Sequence, residues 1–222
     1  LYHFELPYHL VTEYGSWTNR KLIDLYLKYC ETMFRALKGK VRYWVTFNEM
    51  NHIDPATEAS DIFTYMIAGL KYSEMENPAA TLATVGYNMT VAGVKAVELG
   101  HRVDPGNRIG CVFGLQPVYA YNCRPENAFQ AFKEMYRDFY QIDAMCNGCF
   151  PRYKLREYEK MGIALEGVEE DRAAFANGTI DFIGVNYYSS SVGHHEGENG
   201  EETLFGGVQN PYLEQSKWGW AI

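Results

Sequence analysis

Three runs rich in apolar, β-branched and aromatic residues set the terms for this chain: Val41 to Phe47, Arg108 to Gly114 and Ile180 to Tyr188. Each has the length and composition of a buried strand. A fourth, Leu1 to Leu6, reads as the end of a strand closed by Pro7. The segments between them carry helical periodicity. Leu22, Ile23, Tyr26, Tyr29, Cys30, Met33, Phe34 and Leu37 recur at helical spacing, with Thr18 or Asn19 as cap and Gly39 as stop. Longer helices are expected over roughly Pro78 to Arg102, which starts with Pro in its first turn, and Pro125 to Cys146. Asp171 to Phe175 is short and helical, and Asp104-Pro105-Gly106-Asn107 is a turn. From about Asn48 to Asn77 a long polar connection is expected, and Ser189 to Gly207 reads as an exposed loop. Strands alternating with helices imply a parallel sheet with crossovers. A closed eight-stranded barrel typically takes about 250 residues. Four strands in 222 residues therefore fit either a small α/β domain or part of a barrel.

Composition narrows the partners. The net charge is −8 and no Lys/Arg run occurs, which argues against nucleic acid. No apolar run approaches the roughly 18–20 residues of a membrane span. No signal peptide is visible, and the chain starts at Leu1 rather than Met. The five cysteines, Cys30, Cys111, Cys123, Cys146 and Cys149, read as ordinary thiols of a reducing cytosol, although Cys146 and Cys149 have the spacing of a redox pair. His194-His195 with Glu196 lacks a fourth ligand, so no metal is expected. Asn88-Met89-Thr90 and Asn177-Gly178-Thr179 are glycosylation sequons by pattern only. Aromatics make up 15% of the chain, which suits sugar-binding platforms and core packing equally.

The chemistry concentrates at Thr46-Phe47-Asn48-Glu49-Met50, where a carboxylate and an amide end the second strand. In a barrel of parallel strands, catalysis is built at C-terminal strand ends, and one carboxylate there is half of what a glycosidase needs. Read alone, Glu49 is a solvated strand-end group, Asn48 an Asx-turn residue and His3 a core histidine. The surrounding motifs change that reading. Tyr2-His3-Phe4-Glu5-Leu6-Pro7 resembles the "YHWDLP" strand of glycoside hydrolase family one. Gly15-Ser16-Trp17-Thr18-Asn19-Arg20 resembles the "GGW-NR" that follows it. Trp44 to Glu49 resembles the family's "W-TFNE" acid/base motif, and Asp181 to Tyr188 its "DFIGINYY" strand. Trp218-Gly219-Trp220 resembles the segment with the aglycone-side tryptophan. Order and spacing fit one family over nearly the whole chain. Within it, Asn48-Glu49-Met50-Asn51, Cys111, Tyr119 to Cys123 and Ser216 to Trp220 look most like the bacterial 6-phospho-β-glucosidases.

The resemblance implies a TIM (β/α)₈ barrel, here an incomplete one covering about the middle half, strands three to six, as a single domain over residues 1–222. It implies a retaining β-glycosidase with Glu49 as acid/base and Asn48 bonded to the sugar's 2-hydroxyl. His3 would bond the 3-hydroxyl, Tyr188 would touch the nucleophile carboxylate, and Trp220 would be the wall for the leaving group. Asn186 would support the network behind Glu49, while Trp17 and Trp44 stay structural. The nucleophile of this family lies in a "TENG" strand. Glu198-Asn199-Gly200 is a decoy, because His194 to Gly197 cannot form a buried strand and the segment precedes Trp218. The nucleophile and the Ser and Lys of the phosphate-binding loop are thus expected beyond Ile222, and strands one and two before Leu1. The expected substrate is a 6-phospho-β-glucoside or phosphorylated disaccharide, delivered by a sugar phosphotransferase system to a cytoplasmic enzyme without cofactor. The 222 residues alone are expected to be inactive and to associate through exposed sheet edges, as a homo-oligomer or with the remaining barrel. An unphosphorylated β-glucosidase or β-galactosidase, and an inert sugar-binding module, are the alternatives.

Overall fold

The computed structural model describes residues 1–54, 61–193 and 208–221. In chain order its helices are α1 (Tyr8–Tyr14), α2 (Lys21–Ala36), α3 (Asp61–Ala68), α4 (Pro78–Val103), α5 (Pro125–Asn147), α6 (Arg152–Lys160) and α7 (Arg172–Asn177). Its strands are β1 (Tyr43–Asn48), β2 (Arg108–Leu115), β3 (Val118–Ala120), β4 (Phe182–Tyr187) and β5 (Ser191–Gly193). The chain forms two compact units, Leu1–Phe113 with Tyr140–Gly184, and Gly114–Phe139 with Val185–Ile222.

The first unit is organised by the sheet order β1-β2-β4. β1 and β2 pair in parallel, from Tyr43 opposite Arg108 to Asn48 opposite Val112. On the far side of β1 lies the N-terminal segment, also parallel, with Tyr2 bridged to Phe47. The Leu1 nitrogen donates to the Val45 carbonyl at 2.7 Å, and Asn48 N–H donates to the Tyr2 carbonyl at 3.0 Å. Four segments thus neighbour one another in sequence order, as expected when helical crossovers link parallel strands. Close backbone approach explains Gly110: a Cβ there would run into the Phe182 carbonyl.

Helices α2 and α4 cover this sheet. Leu22, Ile23, Tyr26, Cys30 and Phe34 form the buried stripe of α2, the spacing of a one-sided helix. α4 is buried along most of its length from Leu82 to Val103, reading as a core helix. Its start is fixed by Asn77, whose side chain accepts from Ala80 N–H, ahead of Pro78. Trp17 and Trp44 are core residues, with 1% and 6% of their surface exposed.

The polar connection expected from Asn48 to Asn77 holds α3, whose buried Thr64, Ile67 and Ala68 give it a core face. After Pro7 closes the first segment, the chain turns at once into α1, which has no buried residue and ends at Gly15, whose left-handed φ of 74° suits glycine. The Leu1 to Leu6 strand shortens to the pairing around Tyr2.

In the second unit β3 and β5 pair in parallel, Val118 opposite Ser191 through Ala120 opposite Gly193. Val192 also bridges Val208 in antiparallel sense. Ser189, Ser190 and Ser191 are buried, not an exposed loop: their small side chains fit where Ser191 N–H bonds Pro117 and Ser190 N–H bonds Ala221. The segments His194-His195-Glu196 and Glu198-Asn199-Gly200 lie outside the described residues.

Candidate active site

β1 delivers Glu49. Its inner residues Thr46, Phe47 and Asn48 are buried, and the carbonyls near its end are held from several sides. Tyr26 Oη donates to Thr46 O at 2.8 Å, Tyr2 N–H to the same carbonyl at 3.1 Å, and Thr46 Oγ1 to Gly110 O at 3.1 Å. Tyr26 also stacks on Phe47 with centroids 4.7 Å apart. Between Val45 and Asn48 the register slips: β1 advances three residues while β2 advances two. Such a bulge turns a strand end and re-aims the side chains beyond it.

Glu49 follows directly. Its φ of 46° and ψ of 35° are left-handed, a conformation that costs a side-chain-bearing residue about 1–2 kcal/mol. Glu49 N–H donates to Val112 O at 2.8 Å, and the Glu49 carbonyl accepts from His52 N–H at 3.3 Å. The residue is 8% exposed, so its carboxyl lies in a largely desolvated place. His52 Nε2 stands 3.6 Å from Glu49 Oε2. A carboxylate on rigid, strained backbone at a strand's C-terminal end is the arrangement expected of a catalytic group.

His3 and Asn48 come to the same strand ends, because Tyr2 pairs with Phe47. His3 is exposed, with its ring 5.2 Å from Phe4, and Asn48 is 5% exposed. The other sequence candidates belong to the second unit. Asn186 is half-buried in β4. Tyr188 is exposed and meets Trp220 edge-on at 5.7 Å, and Trp218 stacks on Trp220 at 6.0 Å. A tight turn shapes this trio: Ser216 N–H bonds Trp220 O at 2.8 Å and Gly219 takes a φ of 77°. An aromatic cluster with open faces can pack against the apolar face of a sugar ring.

The sequence reading missed His52, although it is one helical turn beyond Glu49. It also missed a cleft of about 830 Å³ whose lining includes Tyr8, Thr18, Asp61, Tyr65 and Lys71. Among the described residues, no group of His, Cys, Asp and Glu has the makings of a metal site. No described helix is long and apolar enough to cross a membrane. All five cysteines are free. Burial pushes the Cys30 and Cys111 thiols up to about 12, so both are poor nucleophiles.

Parallel strands in chain order and crossover helices define the class, part of a (β/α) barrel with a buried carboxylate at a strand's C-terminal end. The chain belongs to glycosyl hydrolase family 1, whose model matches residues 1–222. It is 34% identical over 225 residues to a 6-phospho-beta-glucosidase of Escherichia coli, covering 100% of this chain and 46% of that protein. With the aryl-phospho-beta-D-glucosidase BglH of Bacillus subtilis it is 34% identical, covering 99% and 46%. A 6-phospho-beta-galactosidase of Clostridium acetobutylicum matches at 29%, covering 100% and 50%. Among solved structures, the family 1 β-glucosidase of Thermotoga maritima superposes with a TM-score of 0.74 at 21% identity, covering 100% of this chain and 46% of that one. A β-glucosidase from Exiguobacterium marinum gives 0.73 at 22%, covering 100% and 48%. The chain therefore spans about half the length of its relatives and is part of a TIM barrel.

Proposed function

We propose that this chain is the acid/base-bearing part of a retaining β-glycosidase that hydrolyses 6-phospho-β-glucosides. The observation that carries the reading is Glu49 itself, desolvated and held left-handed at the bulged end of β1. The phosphorylated substrate class is supported by the names of the relatives at 34% identity.

In this mechanism Glu49, protonated, gives its proton to the glycosidic oxygen as the bond to the anomeric carbon breaks. A second carboxylate, about 5–5.5 Å away, attacks that carbon and forms the glycosyl ester. Glu49, now ionised, takes a proton from water, whose oxygen attacks the anomeric carbon and releases the second carboxylate. Its proton affinity must be high while the second carboxylate is charged and fall once that charge is consumed. We place the second carboxylate, and the groups that bind the phosphate, outside residues 1–222. Asn48 and His3 are assigned to the sugar's 2- and 3-hydroxyls, Tyr188 to contact with the nucleophile carboxylate, Trp220 to the wall for the leaving group, and Asn186 to support. A phosphorylated sugar is made as it enters the cell, which puts the enzyme in the cytoplasm.

The test is kcat/KM of the full gene product on a chromogenic β-glucoside with and without the 6-phosphate. A large preference for the phosphorylated substrate is expected. Equal or better activity on the free sugar would contradict the phosphate assignment, and no activity on either would favour an inert sugar-binding module.

A further inference from the structure

Five residues after Glu49 the chain meets a buried ion pair that the glycosidase chemistry leaves unused. Lys154 Nζ, on α6, donates to Asp54 Oδ2 at 2.5 Å, and the two side chains are 0% and 2% exposed. Glu157 Oε2 lies 3.1 Å from the same ammonium. The rings of Tyr140 and Tyr158 stand 4.8 and 5.2 Å from it. Tyr140 Oη donates in turn to the Ile53 carbonyl at 3.4 Å. Ile53 and Asp54, which follow the turn after Glu49, are therefore gripped from α5 and α6.

A buried ion pair is a weak source of stability, since an apolar pair of similar volume often does as well or better. What charge complementarity adds is a single geometry. That geometry reaches Glu49 through one tight turn: His52 N–H bonds Glu49 O and Ile53 N–H bonds Met50 O, each at 3.3 Å. The left-handed backbone of Glu49 persists only where its surroundings over-determine it.

We propose that Lys154 is a positioning residue for the acid/base: it fixes Asp54, which holds the Met50–His52 turn and so aims the Glu49 carboxyl at the leaving oxygen. The inference rests on the reading of Glu49 as acid/base. Lys154 itself touches no reacting atom.

The experiment compares phenyl and dinitrophenyl β-glucosides in the full gene product, in whichever of the phosphorylated or free series the wild type turns over. A dinitrophenolate departs without protonation, so it reports everything except acid catalysis. The variants are Lys154→Met, the double variant Asp54→Asn with Lys154→Met, which removes both charges of the buried pair, and Glu49→Gln. For both Lys154 variants, kcat/KM on the phenyl substrate should fall about ten- to a hundredfold. The dinitrophenyl value should stay within about threefold. The double variant should keep its melting temperature. Unchanged phenyl rates, with Glu49→Gln still selective against phenyl, would overturn the positioning role and leave Glu49 standing. Equal losses on both substrates, or collapse of the double variant's fold, would also overturn it, assigning the pair to folding. A Glu49→Gln variant without leaving-group selectivity would remove the acid/base reading and the inference with it.

Discussion

Asp181, just before β4, shows how single side chains set the pH response of this fold. Burial pulls its carboxyl upward, but the Ile109 N–H at 2.7 Å, the His101 ring at 2.8 Å and the Arg108 guanidinium at 3.3 Å outweigh it. The net effect holds it below its ordinary value of 3.8. A depressed folded value means the native state favours the ionised form. The resulting stability is present above pH 3.8 and is lost as pH falls through the lower folded value. Asp181→Asn should therefore flatten the acid limb of stability against pH, read by thermal melting across that range. An unchanged acid limb would contradict the assignment. The residue scale is also where the sequence was most and least informative about the site. The place of Glu49 at a strand end was legible because an apolar run leads into it. Its left-handed backbone and the bulge before it were not, because both arise from pairing with β2, sixty residues away. Lys154 was illegible for the same reason: nothing local marks a lysine of a charged helix as buried.

At the scale of elements, the loop that leads into α7 is tied down by one carboxylate. Asp171, 2% exposed, takes two bonds from Arg20 at 3.0 and 2.8 Å and one from Tyr87 Oη at 3.2 Å. Lys95 lies 3.2 Å from it. Asp171→Asn would leave two cations without their counter-charge. It should cost roughly 3 kcal/mol, or about 10 °C in Tm for a chain of this size. A change within a degree or two would show the network to be dispensable. Elements whose periodicity decides their burial, α2, α4 and the three apolar strands, could be read directly from their residues. α1 and α3 could not: α1 has no buried face, and α3 is shown as a helix by packing such as Tyr2 Oη on the Ile67 carbonyl at 2.6 Å. The helix α6 hides in a strongly charged stretch whose buried residues are Lys154 and Tyr158.

At the scale of the whole molecule, β4 ends the sheet order and carries its apolar residues outward. Ile183, Val185 and Tyr187 are 44%, 53% and 48% exposed. An apolar edge strand is a template for pairing, and strands of a parallel barrel are normally covered on both sides. The 222-residue chain expressed alone should elute in size exclusion as a concentration-dependent oligomer. A compact monomer at every concentration would contradict this. The alternation of strands and helices was enough to indicate a parallel sheet, but a barrel portion and a small α/β domain share that pattern. The family motifs, not the periodicity, separated them.

The central claim is that Glu49 is the proton donor and acceptor of a retaining glycosidase, and Glu49→Gln in the full gene product tests it most directly. Turnover of a phenyl β-glucoside 6-phosphate should fall by about 10²–10⁴-fold. Azide, which attacks the glycosyl ester without needing a base, should restore turnover of the dinitrophenyl substrate and yield a β-glycosyl azide. A variant that keeps wild-type rates on the phenyl substrate, or that azide leaves unchanged, would contradict the account.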